Sequence, residues 1–258
     1  MDFETIHYSE KDGLATITLN RPKAYNAFTK EMNKEITKAL KVANKNNDVR
    51  CVVFTGEGKA FCSGQDLQDV DENTNHAEFL RERYQPMLKQ LKDTTKPVVA
   101  AINGTAAGAG MSLALACDFR LMKPDAKFVS AFVGIGLIPD SGMMYHLPRL
   151  IGYAKAMEMT VLGRPMTGTE AYAVGLVTEV VEDNEWDEKV NEFTQNLAGM
   201  PTKSIALVKR YMMDSMHESY DEFLEKEAYA QRIAGQSKDH HEGVLSFKEK
   251  RQPTYTGQ

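Results

Sequence analysis

A chain of 258 residues, 42% hydrophobic and 26% charged, is long enough to bury a substantial core without disulfide or metal staples and has an ordinary globular composition. Its 31 Lys+Arg against 36 Asp+Glu give a net charge of −5, which argues against nonspecific binding to nucleic acid or to a membrane surface. An anionic ligand would therefore need a local basic patch. Cys51, Cys62 and Cys117 are odd in number with no C-x-x-C spacing, no apolar run of about 18 residues occurs, and the opening MDFETIHYSEKDG has early acids and no apolar segment of signal type. A cytoplasmic protein with reduced thiols is expected.

In chain order, IHYSEKDGLATITLN places Lys11-Asp12-Gly13 between two segments of alternating apolar character, which predicts a hairpin ended by Arg21-Pro22. Met32, Ile36, Leu40 and Ala43 then recur at helical spacing, with Thr29 as the N-cap. Cys51 to Gly56 reads as a short buried strand. In GKAFCSGQDLQDV, Ser63 and Gly64 bring the backbone to a point, which also fits a plain strand-to-helix turn with Asp66 as a cap. DENTNH reads as a surface loop, and FLRERYQPMLKQLKD as a helix kinked or started at Pro86.

PVVAAI is a buried strand of the parallel-sheet sort, and further short strands are expected at Asp118 to Met122 and Lys127 to Ser130. Strand, glycine turn and helix recur in that order, which favours a mostly parallel sheet covered by helices. From Leu150 the pattern becomes helical apart from a short VTEVV strand, and the expected division is a core over residues 1–195 and a helical region over 196–258.

Two stretches carry chemistry. INGTAAGAGMSLALACD feeds a turn of small residues, Gly108, Ala109 and Gly110, into a helix whose first N–H groups lack intrahelical partners and whose dipole favours negative charge there. Such a turn can hold a developing oxyanion, or it can simply let a helix pack closely on a strand. In the second stretch, FVSAFVGIGLIPDSGMMYHLPRL, one carboxylate, Asp140, stands in an apolar segment between Pro139 and Ser141-Gly142. It reads as a catalytic acid–base or as a helix cap.

Two separate turns presenting backbone N–H groups, at Ser63-Gly64-Gln65 and Gly108-Ala109-Gly110, are what an oxyanion hole for a carbonyl requires. Together with LNRPKAYNAF, GKAFCSGQDL, KPVVAAINGTAAGAGMSLALACD, GLIPDSG, LPRLIG and FKEKRQP in order, they make the whole chain resemble the crotonase (enoyl-CoA hydratase/isomerase) superfamily. The resemblance implies an α/β spiral of repeated ββα units, a C-terminal helical trimerisation region and an acyl-CoA thioester substrate, with coenzyme A part of that substrate and no separate cofactor or metal. It also implies a homotrimer or dimer of trimers with no nucleic-acid or membrane partner.

Carried over residue by residue, the resemblance implies that the N–H groups of Gln65 and Ala109 bind the thioester oxygen and that Gly64, Gly110 and Phe132 line the substrate. Arg21 and Lys23 of the same chain, and Phe247, Lys250 and Arg251 of a neighbouring one, are expected to hold the coenzyme. The two glutamates with which family hydratases activate water are replaced by Ser112 and Phe132. Asp140 instead gives the chain its closest resemblance to the ring-1,2-epoxyphenylacetyl-CoA isomerases, whose relatives also shift double bonds with a single aspartate. Met143 departs from their P-D-x-G-G pattern by adding bulk beside this residue.

The expectation is thus an isomerase acting through an enolate. The alternatives are a hydratase-like enzyme on another acyl-CoA and a crotonase-fold subunit without activity. Dehalogenation of an aryl-CoA would also use an aspartate at this position, but it wants a histidine where this chain has Gln85. Asp66 and Asp118 are read as structural, and His240-His241 as solvated surface.

Overall fold

The computed structural model describes residues 2–71 and 73–258. Strands β1 (Ile6–Lys11) and β2 (Leu14–Leu19) pair antiparallel with Lys11 opposite Leu14, so the turn is the two residues Asp12 and Gly13. Both have positive φ, 51° and 81°, which suits the right-handed twist of a tight hairpin. Helix α1 (Lys30–Lys45) follows, with Thr29 accepting a hydrogen bond from the Met32 N–H at 3.2 Å as its cap. Its expected apolar face, including Met32, Ile36, Leu40 and Ala43, is buried.

Strand β3 (Cys51–Gly56) lies parallel to β2, and the chain then forms β4 (Ala60–Cys62), helices α2 (His76–Phe79) and α3 (Gln85–Lys92), and β5 (Val98–Ile102). The expected kink at Pro86 is a π-turn over Leu80–Tyr84, in which the Gln85 N–H reaches back to the Leu80 carbonyl. Pro86 has no N–H with which to continue an α-helical ladder, and it stands in the first turn of α3. Next come β6 (Thr105–Ala107), α4 (Ala109–Ala116), β7 (Phe119–Met122), β8 (Lys127–Val129), α5 (Met143–Ile151), α6 (Tyr153–Leu162), β9 (Met166–Thr167), α7 (Gly168–Ala173) and β10 (Glu179–Val180).

The strands form two sheets. One has the order β1-β2-β3-β5-β7-β10 and is parallel beyond the hairpin; the other has the order β4-β6-β8-β9. Each step out of the large sheet into the small one and back through a helix is one turn of the expected spiral. Alternate residues of β3 and β5 serve two cores: Val52, Phe54, Val98 and Ala100 face the main one, while Cys51, Val53, Val99 and Ala101 pack against Trp186, Leu197 and Ala198 of α8 (Trp186–Gly199). Covered on both faces, these strands read as unbroken apolar runs.

The expected division after residue 195 falls inside α8, whose burial of Leu197 and Ala198 makes it part of the core. The helices that stand off the core are α9 (Thr202–Ser215), α10 (Tyr220–Gly235) and α11 (Lys238–Glu249). Helix α9 is tied down where Lys209 meets the Asp118 carboxylate at 2.7 Å and the Lys96 carbonyl at 2.7 Å. The final residues return to Arg50, which donates to the carbonyls of Met200 and Tyr255. Helix α10 buries no residue within the chain. Among the described residues no helix is long and apolar enough to cross a membrane.

Candidate active site

Strand β4 delivers the first glycine turn and β6 the second, and the pairing of β4 with β6 brings them together. Gly64, at φ 97°, lies against the other turn so closely that an added Cβ would stand 2.9 Å from the Ala107 carbonyl oxygen and 3.4 Å from the Ala109 nitrogen. Gly108, at φ 50°, is anchored by its N–H to the Val129 carbonyl at 2.9 Å and opens α4. Gly110 serves packing instead. A Cβ there would meet the Cys62 carbonyl oxygen at 2.3 Å, so its bareness seats α4 on β4.

The orientation of Gln65 follows from its bridge to Phe28. The Phe28 N–H bonds the Gly64 carbonyl at 2.7 Å and the Asp66 N–H bonds the Phe28 carbonyl at 3.0 Å, so the N–H of the intervening Gln65 points away from Phe28. Ala109 is the first residue of α4, where the N–H has no intrahelical acceptor. Among the described residues neither N–H has a backbone acceptor. Two free donors on abutting turns, one backed by a helix dipole, form a cradle for a carbonyl that gains negative charge.

The Gln65 side chain holds its own loop in place. Its amide nitrogen donates to the carbonyls of Phe28 and Asp66 at 3.2 and 2.9 Å, and its oxygen accepts from the Tyr84 hydroxyl at 2.7 Å. Tyr84 is buried on the π-turn, edge-on to Phe28, and burial raises its phenol well above its usual pKa, with the charge of Asp140 adding to the rise. Gln85, beside it, is exposed. Cys62, below the turn, is fully buried and pushed up to about 12 by desolvation, so it is an inert thiol.

Asp140 sits where Pro139, with its fixed φ, meets two consecutive left-handed residues, Ser141 at φ 51° and Gly142 at φ 88°. Helix α5 begins after Gly142 with no side-chain cap, so the carboxylate does not do the capping that the sequence permits. One of its oxygens is buried with no hydrogen-bond partner. Burial raises its pKa, opposed by the neighbouring Ser141 hydroxyl and the charge of His76. Of the apolar residues in its segment, Phe132 is buried, Leu137 half-buried and Ile138 exposed. Phe132 lies over the second turn, its ring tip 3.8 Å from where a Cβ of Gly108 would be.

Met143 is fully buried in the main core, which takes up its bulk, and its N–H donates to the Asp140 carbonyl at 2.9 Å. Ser112, also fully buried, donates its hydroxyl to that same carbonyl at 3.0 Å. In the sequence Ser112 stands only where hydratases carry a glutamate, and Tyr84 only within a helical segment. A small polar residue in the apolar run MSLALA is the signal that marks Ser112.

Of the outer residues expected to hold the coenzyme, the two arginines are ion-paired within the chain and the other three are exposed. Arg21 is folded inward, with its guanidinium 2.9 Å from the Asp66 carboxylate and 2.6 Å from the Ala27 carbonyl, so its charge is already balanced. Asp66 also caps the turn after it by accepting from the Gln68 N–H, as read from the sequence. Lys23 is exposed on the neighbouring turn. Arg251 is spent within its own chain on Glu242 and Glu249, which holds the Glu242 carboxyl down at about 2. Lys250 and Phe247 remain exposed, Phe247 at 86%. Asp118 accepts from the Val98 N–H at 2.7 Å as well as from Lys209, a structural role, and His241 contacts the Ser237 carbonyl.

Residues 9–258 match the family model described as enoyl-CoA hydratase/isomerase. The chain belongs to this family. It is 38% identical to the 1,2-epoxyphenylacetyl-CoA isomerase of Escherichia coli, with 100% of this chain and 99% of that protein covered. It is 42% identical to a protein of Rhodobacter capsulatus named "Probable enoyl-CoA hydratase", with 100% of each covered. The crystal structure of the enoyl-CoA hydratase from Bacillus anthracis superposes with a TM-score of 0.92 at 31% identity, covering 99% of this chain and 100% of that one. The fold is thus the crotonase fold, and enzymes of this family act on CoA thioesters. The names on the relatives include hydratases, isomerases and 4-chlorobenzoyl coenzyme A dehalogenases.

Proposed function

We propose that the chain is an acyl-CoA isomerase that moves a proton through a thioester enolate. The observation that carries this reading is the lone Asp140 carboxylate, half-buried with one oxygen buried and unpartnered, while the two positions that hold glutamates in hydratases are Ser112 and Phe132. The Gln65 and Ala109 N–H groups hold the thioester oxygen, each donor worth roughly 2.7–4 kcal/mol in the transition state. Asp140 removes a proton from the carbon next to the carbonyl, the electron pair delocalises onto that oxygen, and the same carboxyl returns the proton two carbons further along. A double bond in a 3-enoyl thioester is thereby brought into conjugation.

A ring epoxide attached to the thioester is a second substrate class, supported by the 38% identity to the isomerase of that name. The coenzyme is part of the substrate, and no separate cofactor is required. Phe247 and Lys250 of one chain reach the coenzyme of another in this reading, Lys23 serves from the same chain, and the apolar side chains that α10 leaves uncovered pack in a trimer or dimer of trimers. Arg251 and Arg21 contribute through the ion pairs that shape those segments. We place the protein in the cytoplasm.

The test is turnover of a 3-enoyl-CoA by the purified protein and by Asp140→Asn. Isomerisation by the first and not the second supports the reading; equal activity in both refutes the assignment of Asp140.

A further inference from the structure

The geometry assigns Ser112 as a positioning residue that holds Asp140 in register with the oxyanion hole, an inference that rests on the reading of Asp140 as the proton carrier. Ser112 lies in the first turns of α4, the helix whose first N–H is the Ala109 donor, and is fully buried between Met111 and Leu113. Its hydroxyl lies 3.0 Å from the Asp140 carbonyl and 3.3 Å from the Gly108 carbonyl. The shorter contact crosses between elements, so this one side chain links the turn that holds the oxyanion donor to the turn that holds the carboxylate.

That link matters because of what surrounds it. The Asp140 turn carries left-handed residues at 141 and 142, and a non-glycine residue such as Ser141 keeps φ 51° only where its surroundings enforce it. The enforcing contacts on the Asp140 carbonyl are the Ser112 hydroxyl and the Met143 N–H. Met143 is anchored in the main core at the start of α5, which fixes the far side of the turn by packing, whereas the Ser112 hydroxyl is the polar tie from the helix of the hole to the Asp140 carbonyl itself. Loss of the hydroxyl leaves the packing in place but removes that tie, so the carboxylate can shift slightly relative to the donor, and proton transfer is sensitive to small misplacement.

Ser112→Ala is expected to lower kcat on a 3-enoyl-CoA about tenfold with KM unchanged. The red shift of a conjugated aromatic thioester such as cinnamoyl-CoA on binding, which reports polarisation by the hole, is expected to stay at its wild-type value. Ser112→Thr, which keeps the hydroxyl, should recover most of the rate. An unchanged kcat in Ser112→Ala overturns the inference, as does a red shift that falls in proportion to kcat, since the residue would then serve the hole through Gly108. Ser112→Cys, close in size and a weaker donor, takes the same two readings if the alanine variant does not fold. Asp140→Asn run alongside separates the failures: full activity there refutes the underlying reading, while its inactivity with an unimpaired Ser112→Ala refutes only the positioning role.

Discussion

Gly64 and Ala109 belong to different β-strand-to-turn units, yet a methyl group at Gly64 would stand 3.4 Å from the Ala109 nitrogen. The two halves of the oxyanion hole therefore leave no room for a side chain between them, and the spacing of their donors is set by backbone packing. Gly64→Ala forces a side chain onto φ 97° and to within 2.9 Å of the Ala107 oxygen, so the turns must separate. We expect kcat to fall roughly 10²–10³-fold, the cost of one misplaced donor, with the protein still folded by circular dichroism. A near wild-type rate would show that the hole lies elsewhere.

The raised pKa of Asp140 makes a prediction about pH. Its basic form abstracts the proton, so the rate rises as the carboxyl ionises, and the acid limb of kcat/KM should lie above the ordinary carboxylate value of 3.8. Asp69 and Asp71 are more exposed and make poor alternatives. A pH–rate profile with its acid limb at or below the ordinary value would contradict the assignment.

The same shift acts on stability in the opposite sense. A carboxyl whose pKa is higher folded than unfolded binds more protons in the native state, so its contribution falls as pH rises from the unfolded value through the folded one. At pH 7 the native protein carries a desolvated charge that the unfolded chain hydrates freely. Asp140→Asn is therefore expected to keep or raise Tm at pH 7 and to lose that advantage below about pH 4. A Tm at pH 7 well below wild type would mean that the carboxylate makes stabilising contacts the structure lacks.

Hydration is expected to be weak. With Ser112 and Phe132 at the water-activating positions, one carboxylate must both orient water and protonate the far carbon. Crotonyl-CoA should gain water far more slowly than a 3-enoyl-CoA is isomerised, as followed by loss of the conjugated thioester absorbance. Comparable rates would favour the hydratase reading.

The C-terminal helices make a prediction about assembly. Helix α10 buries nothing in its own chain, and Leu224, Tyr229, Val244, Leu245 and Phe247 are exposed at between 42% and 86%. A truncation after Gly235 tests both expectations by light scattering and CoA titration. We expect a loss of coenzyme affinity; a trimer with unchanged affinity would refute the shared site, and a monomeric full-length protein would refute the assembly as a whole.

Much of this was legible in the sequence because it is written in local chemistry. Asp12-Gly13 fixes a two-residue turn, Thr29 with Met32 and Ile36 fixes a capped amphipathic helix, and the glycines at 64 and 108 mark the positive φ of the two turns. The short strands β4 and β6 were hidden because three residues show no period. Residue 195 lies within α8 because helical spacing continues through Leu197 and Ala198, whose packing on the sheet is not visible in spacing alone. The ion pair of Arg21 was not legible because sequence shows a charge and not its partner, which is Asp66, 45 positions on. The roles of Ser112 and Tyr84 are contacts between distant segments, which spacing does not encode.

The most direct test of proton transfer by Asp140 is deuterium exchange, followed by NMR, at the carbon next to the thioester carbonyl of a 3-enoyl-CoA in D2O. The wild type should wash deuterium into that position or carry it to the far carbon, and Asp140→Asn should do so roughly 10²–10⁴-fold more slowly. Exchange at the wild-type rate in Asp140→Asn would contradict the account.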